Sequence, residues 1–325
     1  MDLERNLLIS DVMMAQKRIQ KYVRKTPLIR AEALEKLFDG GEIWLKMENL
    51  QHTGSFKIRG AANKMLCMTE EEKKRGVTAA SSGNHAQAVS YMANRLGIKA
   101  VIVMPENAPL NKVEGARGYG AEVILCGVTG EDRDQKCQEL ITNYGYSLVH
   151  SHKDPYVIAG HATAAVEAWE QSGGFDEIVI PCGAGSLTSG AAFAMKQLDS
   201  GVCVTAVEPE QVPRFTQSIK AGRPVTVPMG NTIADGLRVS KAELINYQMI
   251  RDNVDRLLTI DEENIARAMK EVALRGKITA EPSSSVGIAA ALAKKIDLRP
   301  GRKVCFVITG GNIDAAVLQD ALAIA

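Results

Sequence analysis

Residues 177–198 read EIVIPCGAGSLTSGAAFAMKQL, and this stretch decides the fold class. It opens with Glu177-Ile178-Val179-Ile180, an apolar run that is too short for a helix and typical of a strand buried on both faces. Small residues follow from Pro181 to Gly190, and the sequence then takes a helical pattern over 189–198. A strand, a loop of small residues and a helix in succession indicate one βα unit of a parallel sheet.

The same alternation of short apolar runs and longer Ala-rich segments continues along the chain. The predicted strands are 100–104, 122–125, 177–180, 202–207 and 303–308, and the predicted helices are 85–96, 133–144, 159–172, 189–198, 262–275 and 284–294. We therefore predict an α/β protein with parallel sheets flanked by helices, in which ligands bind beyond the carboxyl ends of strands. Residues 76–150 are expected to form a small mobile domain, inserted into a large domain made of 1–75 and 151–325.

The composition is that of an ordinary globular protein, with 325 residues, 46% of them hydrophobic and 24% charged. A net charge of +1 gives no reason to expect a nucleic-acid partner. No apolar stretch has the length of a membrane span, and Met1–Arg5 is acidic without the apolar core of a secretory signal. The six cysteines form no close pairs, which is typical of core residues in a reducing compartment. A cytoplasmic protein is expected.

The loop of small residues from Pro181 to Gly190 predicts a phosphate site. Backbone amides can close around an anion there, and the dipole of the following helix adds attraction. The loop is not a nucleotide-hydrolase P-loop, and Gly183, Gly185 and Gly190 do not keep the dinucleotide spacing. A tight structural turn is the alternative, and the phosphate site is favoured over it.

Lys57 lies in Ser55-Phe56-Lys57-Ile58-Arg59-Gly60, between apolar neighbours. Burial lowers the pKa of an amine, and a neutral amine is what a covalent bond with an aldehyde requires. A lysine whose side chain extends into solvent from the first turn of a helix is an equal alternative on these six residues alone.

Polar residues end other strand-like runs at Ser81–His85, at Thr309–Asn312 and at Glu281. Each cluster alone is also explained by helix caps or turns. One lysine suited to an aldehyde, one phosphate loop and several hydroxyl or amide groups at strand ends together suggest pyridoxal 5'-phosphate.

These motifs resemble the fold-type II pyridoxal-phosphate enzymes, in the serine racemase and serine–threonine dehydratase group. The resemblance implies the two-lobed fold of the tryptophan synthase β-subunit, and it covers nearly the whole chain. It rests on residues 25–28, 46–51, 54–61, 81–85, 157–160, 232–236 and 310–312.

The resemblance implies a role for each matching residue. Lys57 takes the place of the Schiff-base lysine and removes the Cα proton, Phe56 packs beside the cofactor ring, and Thr309 faces its pyridine nitrogen. The implied cofactor contacts are Phe56, Lys57, Asn84, Gly183, Ala184, Gly185, Ser186, Leu187, Glu281 and Thr309, and the implied substrate contacts are Ser81, Ser82, His85, Arg133, His152 and Asp235. Ala184 and Ser186 stand where family members commonly have glycine.

The implied activity is elimination of a β-hydroxy amino acid, serine or threonine, to a 2-keto acid and ammonia. Ser82 matches the second acid/base of the racemases, so serine racemase activity is also expected. A 3-hydroxyaspartate dehydratase or an aspartate-type racemase is the alternative, because positive charge on Arg133 and His152 would favour an acidic side chain. A pyridoxal-phosphate-binding protein without catalysis is a further alternative, and a homodimer is implied.

The racemases also bind a divalent metal, and two positions of this chain match its ligands. Glu208 and the Val212 carbonyl fit, but Arg214 replaces the expected carboxylate. A guanidinium there would repel a metal ion and is expected to pair with Glu208. The sequence does not decide whether a divalent or a monovalent cation binds.

Overall fold

A computed structural model describes residues 7–324, and Met1–Arg5, which was predicted not to be a secretory signal, lies outside them. The chain divides into two compact units. Residues 7–24 and 57–161 form the first unit, and residues 25–56 and 162–324 form the second. The predicted small domain over 76–150 lies inside the first unit, and its own limits and mobility stay a prediction.

All five predicted strands are present, and the structure describes five more. They are β1 (Leu28–Arg30), β2 (Glu42–Met47), β3 (Val77–Ala80), β4 (Ala100–Met104), β5 (Glu122–Leu125), β6 (Ser147–Leu148), β7 (Glu177–Pro181), β8 (Cys203–Pro209), β9 (Arg256–Ile260) and β10 (Lys303–Ile308). In β4 and β7 every residue is buried, as their continuous apolar sequences predict.

The described helices include all six that the sequence predicts, with ends shifted by a few residues. They are α1 (Ile9–Ile19), α2 (Glu32–Glu35), α3 (Lys57–Leu66), α4 (Glu70–Arg75), α5 (Asn84–Leu96), α6 (Leu110–Gly118), α7 (Gly130–Tyr144), α8 (Pro155–Ser172), α9 (Ser186–Leu198), α10 (Arg214–Ala221), α11 (Leu244–Asn253), α12 (Glu262–Leu274), α13 (Pro282–Leu292) and α14 (Ala315–Ala323). Over residues 7–324, none of these helices combines the length and the apolar character needed to cross a membrane.

Each unit contains one sheet, and the prediction of an α/β fold with parallel sheets is confirmed. The sheet of the first unit has the order β5-β4-β3-β6 with parallel pairing throughout. The sheet of the second unit has the order β1-β2-β10-β7-β8-β9, and only the edge pair β1–β2 is antiparallel. All six cysteines are free.

A buried polar network joins β2 to α8 within the second unit. Lys46 is fully buried, and its Nζ lies 2.5 Å from a carboxylate oxygen of Glu167. The same Nζ donates to the Thr26 carbonyl and to Gln171, each at 2.8 Å. Thr26 in turn donates from its hydroxyl to Glu48. Residues of the segments 25–28 and 46–51 therefore hold the core of this unit together.

The parallel strands β2, β7 and β10 end at one edge of the second sheet, where three loops follow them. The loop after β2 is fixed to the loop after β10 by backbone pairing. The Phe56 N–H donates to the Thr309 carbonyl at 3.0 Å, and the Gly311 N–H donates to the Gly54 carbonyl at 2.9 Å. This pairing places Phe56, the last residue of its segment in the second unit, beside Thr309.

Candidate active site

The loop after β7 turns into α9 through a backbone conformation that requires glycine. Gly185 has φ of +98° and precedes the helix, whose start has no side-chain cap. A Cβ atom on Gly185 would lie 2.7 Å from the Phe215 ring and 3.0 Å from Cβ of Asn246. Any side chain there would be both strained and blocked, so the loop presents its backbone to whatever it binds.

The loop opens to solvent at one place only along its length. Gly183 and Ala184 are half-buried, whereas Gly185, Ser186 and Leu187 are buried. Side chains behind the loop anchor it, because Ser189 donates to Asn246 at 3.0 Å and Thr188 donates to the Pro181 carbonyl at 3.2 Å. An uncapped helix start behind a small-residue opening suits a phosphate group.

Thr309, at the end of β10, belongs to a hydroxyl network with Ser284. The two side-chain oxygens are 2.9 Å apart, and Thr309 is 3% exposed. Ser284 also accepts from the Gly310 N–H at 2.8 Å and reaches the Gly310 carbonyl at 2.7 Å. Glu281 lies close by, since a Cβ atom on Gly310 would be 2.8 Å from its carboxylate. The second unit thus brings Phe56, Thr309 and Glu281 to one edge.

Lys57 is the first residue of α3 and is half-buried. Its Nζ lies 3.4 Å from the carbonyl oxygen of Ser151. Lys57 therefore lies in the first turn of a helix, as one of the two alternatives predicted. Its side chain nevertheless stays against its own unit and does not extend fully into solvent. A donor and a free carbonyl at this distance allow a weak hydrogen bond.

Histidine side chains surround Lys57 within the first unit. The ring of His161 hydrogen-bonds to the backbone of Lys57, and the rings of His150 and His152 lie 4.6 Å apart. Burial lowers the pKa of His161 well below 6.5, and the charge of Lys57 adds to the effect. Neutral imidazoles next to an amine can accept or donate hydrogen bonds without adding charge.

His85 was predicted to help hold the substrate carboxylate, and one nitrogen of its ring already contacts a backbone carbonyl. The ring is buried and its Nε2 lies 2.7 Å from the Val149 carbonyl. Burial, followed by the charge of Lys57, lowers the pKa of His85 to about 3. The Nε2 atom is thus occupied by a backbone carbonyl, and the role of His85 in holding the substrate carboxylate stays a prediction.

The turn Ser81–Gly83 leads from β3 into α5, whose start has no side-chain cap. The Gly83 N–H donates to the Ser81 hydroxyl at 3.3 Å, and the Ser81 N–H donates to the Val103 carbonyl. Ser82 and Asn84 are half-buried on this turn. The arrangement leaves the dipole of α5 directed at a polar, accessible segment, as binding of a carboxylate requires.

His152 cannot supply the positive charge on which the acidic-substrate alternative partly depends. Burial is the first cause that lowers the pKa of His152 well below 6.5, and the neighbouring His150 and Lys57 lower it further. The ring is neutral at pH 7, and its Nδ1 lies 2.8 Å from the Ser151 hydroxyl. His152 can contribute hydrogen bonds but not a cation.

Arg133 belongs to the first unit and Asp235 to the second. Arg133 is half-buried in the first turn of α7, and Asp235 is exposed in a short 3-10 turn of the second unit. Among residues 7–324, no hydrogen bond or ion pair links Arg133 to another candidate side chain. Their roles stay predictions.

The candidate metal ligands already have other partners. The Glu208 carboxylate accepts from the N–H groups of Phe215 and Thr216 at 2.9 and 2.8 Å, and from the Thr216 hydroxyl at 2.8 Å. The Val212 carbonyl accepts from Arg214. Within residues 7–324, no group of three or more His, Cys, Asp or Glu side chains is arranged to hold a metal. The expected ion pair of Glu208 with Arg214 is replaced by these contacts.

Sequence reasoning missed three residues that the structure places at the site. Ser284 contacts Thr309, His161 contacts Lys57, and the carbonyl of Ser151 faces the Lys57 amine. A signal for His161 was present, because it directly follows the segment 157–160 and is one of only five histidines. Ser284 lies in a run of three serines, and nothing in the sequence marks it over its neighbours.

The chain matches the family model of pyridoxal-phosphate dependent enzymes over residues 19–310 and belongs to this family. It is 41% identical to the L-threonine ammonia-lyase of Thermotoga maritima, over 96% of this chain and 77% of that protein. It is 40% identical to the L-threo-3-hydroxyaspartate ammonia-lyase of Saccharomyces cerevisiae, over 94% of this chain and 93% of the relative.

A solved structure agrees with the sequence comparison. The crystal structure of serine racemase from Dictyostelium discoideum superposes with a TM-score of 0.89 and 38% identity, covering 95% of this chain and 99% of that one. The chain is therefore a pyridoxal-phosphate enzyme of fold type II, as its motifs predicted.

Proposed function

We propose that this protein is a pyridoxal-phosphate-dependent ammonia-lyase that converts serine or threonine to a 2-keto acid and ammonia, with a second activity as a serine racemase. The relatives support both reactions by their names, since one is a threonine ammonia-lyase and another a serine racemase.

The residues present fit the cofactor. The uncapped start of α9 and the backbone of Gly183–Leu187 would hold its phosphate, and Phe56 and Asn84 would contact its ring. When bound, pyridoxal 5'-phosphate supplies an aldehyde that bonds to an amine and a ring that withdraws electrons from Cα. Ala184 leaves less space in the loop than glycine, but this residue lies at the half-exposed opening, where its methyl group has room.

Lys57 moves the proton in the first step. Its Nζ acts as general base and takes the proton from Cα of the amino acid. The Ser151 carbonyl, 3.4 Å away, can accept a hydrogen bond from this amine and orient it. The N–H groups at the start of α5 bind the substrate carboxylate, and this fixes which Cα substituent faces Lys57.

The observation that carries the choice of elimination is the Thr309–Ser284 hydroxyl pair at the end of β10. If the Thr309 hydroxyl faces the pyridine nitrogen, that nitrogen would lack a proton, and the bound ring would withdraw electrons more weakly than it would beside a carboxylate. Loss of a β-hydroxyl suits this arrangement, because the leaving group itself takes up the electrons.

Ser82 favours racemisation as the second activity. Inversion at Cα needs a proton donor on the face opposite to Lys57, and Ser82 is a half-buried hydroxyl at the accessible turn before α5. A hydroxyl can give a proton to Cα and recover one from solvent or a neighbour.

An acidic substrate is the second candidate, and the 40% identity to a 3-hydroxyaspartate ammonia-lyase favours it. An aspartate-type racemase requires the same recognition of a side-chain carboxylate. With His152 neutral, the positive charge for such a substrate must come from Arg133. If the substrate is acidic, Arg133→Ala raises KM for 3-hydroxyaspartate and leaves KM for serine unchanged.

The deciding experiment is an assay of the holoenzyme against both enantiomers of serine, threonine, 3-hydroxyaspartate and aspartate, with keto acid and chirality measured together. The proposal expects keto acid from L-serine or L-threonine and D-serine from L-serine. Activity on the acidic substrates alone would replace the proposal with the second candidate. Lys57→Ala should lose both reactions and also the visible absorbance that the amine–cofactor bond gives the wild type.

Two expectations from the sequence belong to the proposal as well, a homodimer and a cytoplasmic location. Light scattering of the purified protein measures the first directly, and a monomeric mass would refute it. Fractionation of the source cells measures the second.

A further inference from the structure

We propose that Arg214 is a built-in cation that aims the backbone N–H groups of the phosphate loop, so that the protein binds its cofactor without a free metal ion. This inference rests on the proposed role of residues 183–187 in holding the cofactor phosphate. The side chain of Arg214 lies in the second unit, at the start of α10, and is fully buried.

Five carbonyl oxygens surround the guanidinium. Nη1 donates to the carbonyls of Val239, Leu237 and Val212 at 2.7, 3.2 and 3.3 Å. Nη2 donates to the Cys182 carbonyl at 3.1 Å and also to the Gly183 carbonyl. Carbonyl oxygens that converge on one point repel each other unless a cation lies between them, which is how backbone oxygens bind free cations. Here the cation is part of the chain.

Within residues 7–324, no carboxylate forms an ion pair with Arg214 by direct contact. Burial lowers the pKa of Arg214, and the nearby Glu208 partly offsets this by favouring the charged guanidinium. The Glu208 oxygens themselves are occupied by the N–H groups of Phe215 and Thr216 and by the Thr216 hydroxyl. Arginine keeps its charge even when buried, because its pKa is far above neutral. The site therefore has the oxygen ligands and the positive charge of a cation complex. A metal ion could bind there only by displacing the guanidinium, which is part of the chain.

The contact with Cys182 and Gly183 has a directional consequence. In a trans peptide the C=O and the following N–H point in opposite directions, and no described peptide is cis. By holding the oxygens of Cys182 and Gly183, Arg214 directs the N–H groups of Gly183 and Ala184 away from itself. These two residues form the half-exposed opening of the loop. Arg214 is therefore a positioning residue for two donors that would meet the phosphate.

The contacts with Leu237 and Val239 extend the same clamp to a second segment. A Cβ atom on Gly183 would lie 3.1 Å from the Gly236 carbonyl and 3.2 Å from the Leu237 side chain. The loop and the segment 236–239 thus pack directly against each other, with the guanidinium bonded to both. Removing it would take the guanidinium donor from the buried Cys182 carbonyl and from the Val239 carbonyl, whereas the Leu237 carbonyl keeps the Val239 N–H.

The first test uses the wild-type protein alone. Apoprotein is freed of metals by a chelator, and the dissociation constant of pyridoxal 5'-phosphate is measured by absorbance in tetramethylammonium buffer, then with added K⁺, Na⁺ or Mg²⁺. We expect the same constant in every buffer. A constant that improves several-fold on addition of any one cation would overturn the proposal.

The second test uses Arg214→Ala, which leaves a cavity lined by carbonyl oxygens. We expect the dissociation constant of the cofactor to rise about tenfold or more. Guanidinium chloride at low millimolar concentration, far below denaturing levels, should restore most of the affinity by filling the cavity. Affinity equal to the wild type, or weak affinity that guanidinium leaves unchanged, would overturn the proposal.

Arg302→Ala is the matched control. Arg302 bonds to the buried Glu177, which is the first residue of β7. Arg214 instead bonds to the two residues that follow the last residue of β7. This variant should lose stability while its cofactor affinity stays unchanged and insensitive to guanidinium. If it loses affinity equally, a general loss of stability explains the effect and the proposal fails.

If Arg214→Ala does not fold, Arg214→Lys and Arg214→Met decide the question. Lysine keeps a positive charge, so its cofactor affinity should exceed that of the methionine variant, which has similar bulk and no charge. Equal affinities would overturn the proposal. A wild-type protein that does not bind pyridoxal 5'-phosphate at all would instead refute the proposed function, so the two failures are distinguishable.

Discussion

The hydroxyl oxygens of Ser284 and Thr309 lie 2.9 Å apart, and the single proton of Ser284 must serve either Thr309 or the Gly310 carbonyl at 2.7 Å. When it goes to Gly310, Thr309 donates to Ser284 and presents only lone pairs to a ligand. When it goes to Thr309, the Thr309 proton is available to a ring nitrogen. Ser284 therefore controls the hydrogen-bonding direction of the residue proposed to face the cofactor ring.

We expect Ser284→Ala to lower kcat about tenfold and to shift the absorbance of the bound cofactor, because Thr309 loses its partner. The Gly310 N–H also loses its acceptor, which costs about 1–3 kcal/mol of unfolding free energy. Ser283→Ala is the control, since the buried Ser283 hydroxyl has no hydrogen-bond partner within residues 7–324. A Ser284 variant with the spectrum of the wild type would contradict the assignment.

Gly60→Ala should destabilise the first unit by about 1–3 kcal/mol, because the added methyl group would overlap the His161 ring and Val157. Urea unfolding measures the change. Gly118→Ala, on α6 of the same unit, serves as the control because nothing lies within 4 Å of its new methyl group. Equal effects of the two substitutions would show that the packing of α3 against His161 is not tight.

Glu167→Gln should cost about 3–5 kcal/mol of unfolding free energy, because it leaves the buried Lys46 ammonium without its counter-charge. Glu71→Gln removes a surface pair with Lys74, whose side chains are 71% and 72% exposed, and should cost at most about 1 kcal/mol. Chemical denaturation of both variants gives the comparison. A loss at Glu167 no greater than at Glu71 would mean that the buried network adds no stability.

Acid should destabilise the protein through His85. Its pKa is about 3 in the folded state and 6.5 in the unfolded chain, so above pH 6.5 both states are neutral and His85 has no effect. Between pH 6.5 and 3 only the unfolded chain binds the proton, and unfolding free energy falls by about 1.4 kcal/mol per pH unit.

The measurement is the unfolding free energy of the wild type and of His85→Gln from pH 8 to pH 4. Carboxylates whose pKa the fold lowers, such as Glu72, destabilise both proteins in the same direction. The difference between the two curves therefore reports His85. A difference that stays constant with pH would refute the low pKa.

Ser82→Ala should abolish interconversion of D- and L-serine while release of ammonia continues at a rate within a few-fold of the wild type. The reason is that elimination needs the Cα proton to be removed on the Lys57 face only, whereas inversion also needs a donor on the other face. Chiral chromatography and an ammonia assay on the same sample separate the two. A parallel loss of both activities would contradict this division of roles.

The sequence predicted the sheet strands and the loops after them because buried parallel strands have continuous apolar runs that are visible without any alignment. β4 and β10 have the predicted limits. The antiparallel edge strand β1 was not foreseen, since three residues carry no periodicity. β9 was missed because its residues are only partly buried and its pattern is mixed.

The roles of the individual site residues stay predictions, whereas the local backbone around them could be predicted from the sequence. Ser81–Asn84 and Gly183–Leu187 do form uncapped helix starts, which follow from small residues after a strand. The inward rotation of His85 and the neutral state of His152 depend on what packs around them. Such packing joins residues far apart in the chain, and no local pattern encodes it.

The segment 57–161 of the first unit starts and finishes at one point, because the ring of His161 hydrogen-bonds to the backbone of Lys57. The two ends of this segment are therefore held next to each other. Insertions, deletions or new chain ends inside the segment would leave this contact between its two ends in place. The interior of the segment 57–161 can therefore change in length while Lys57 keeps its position.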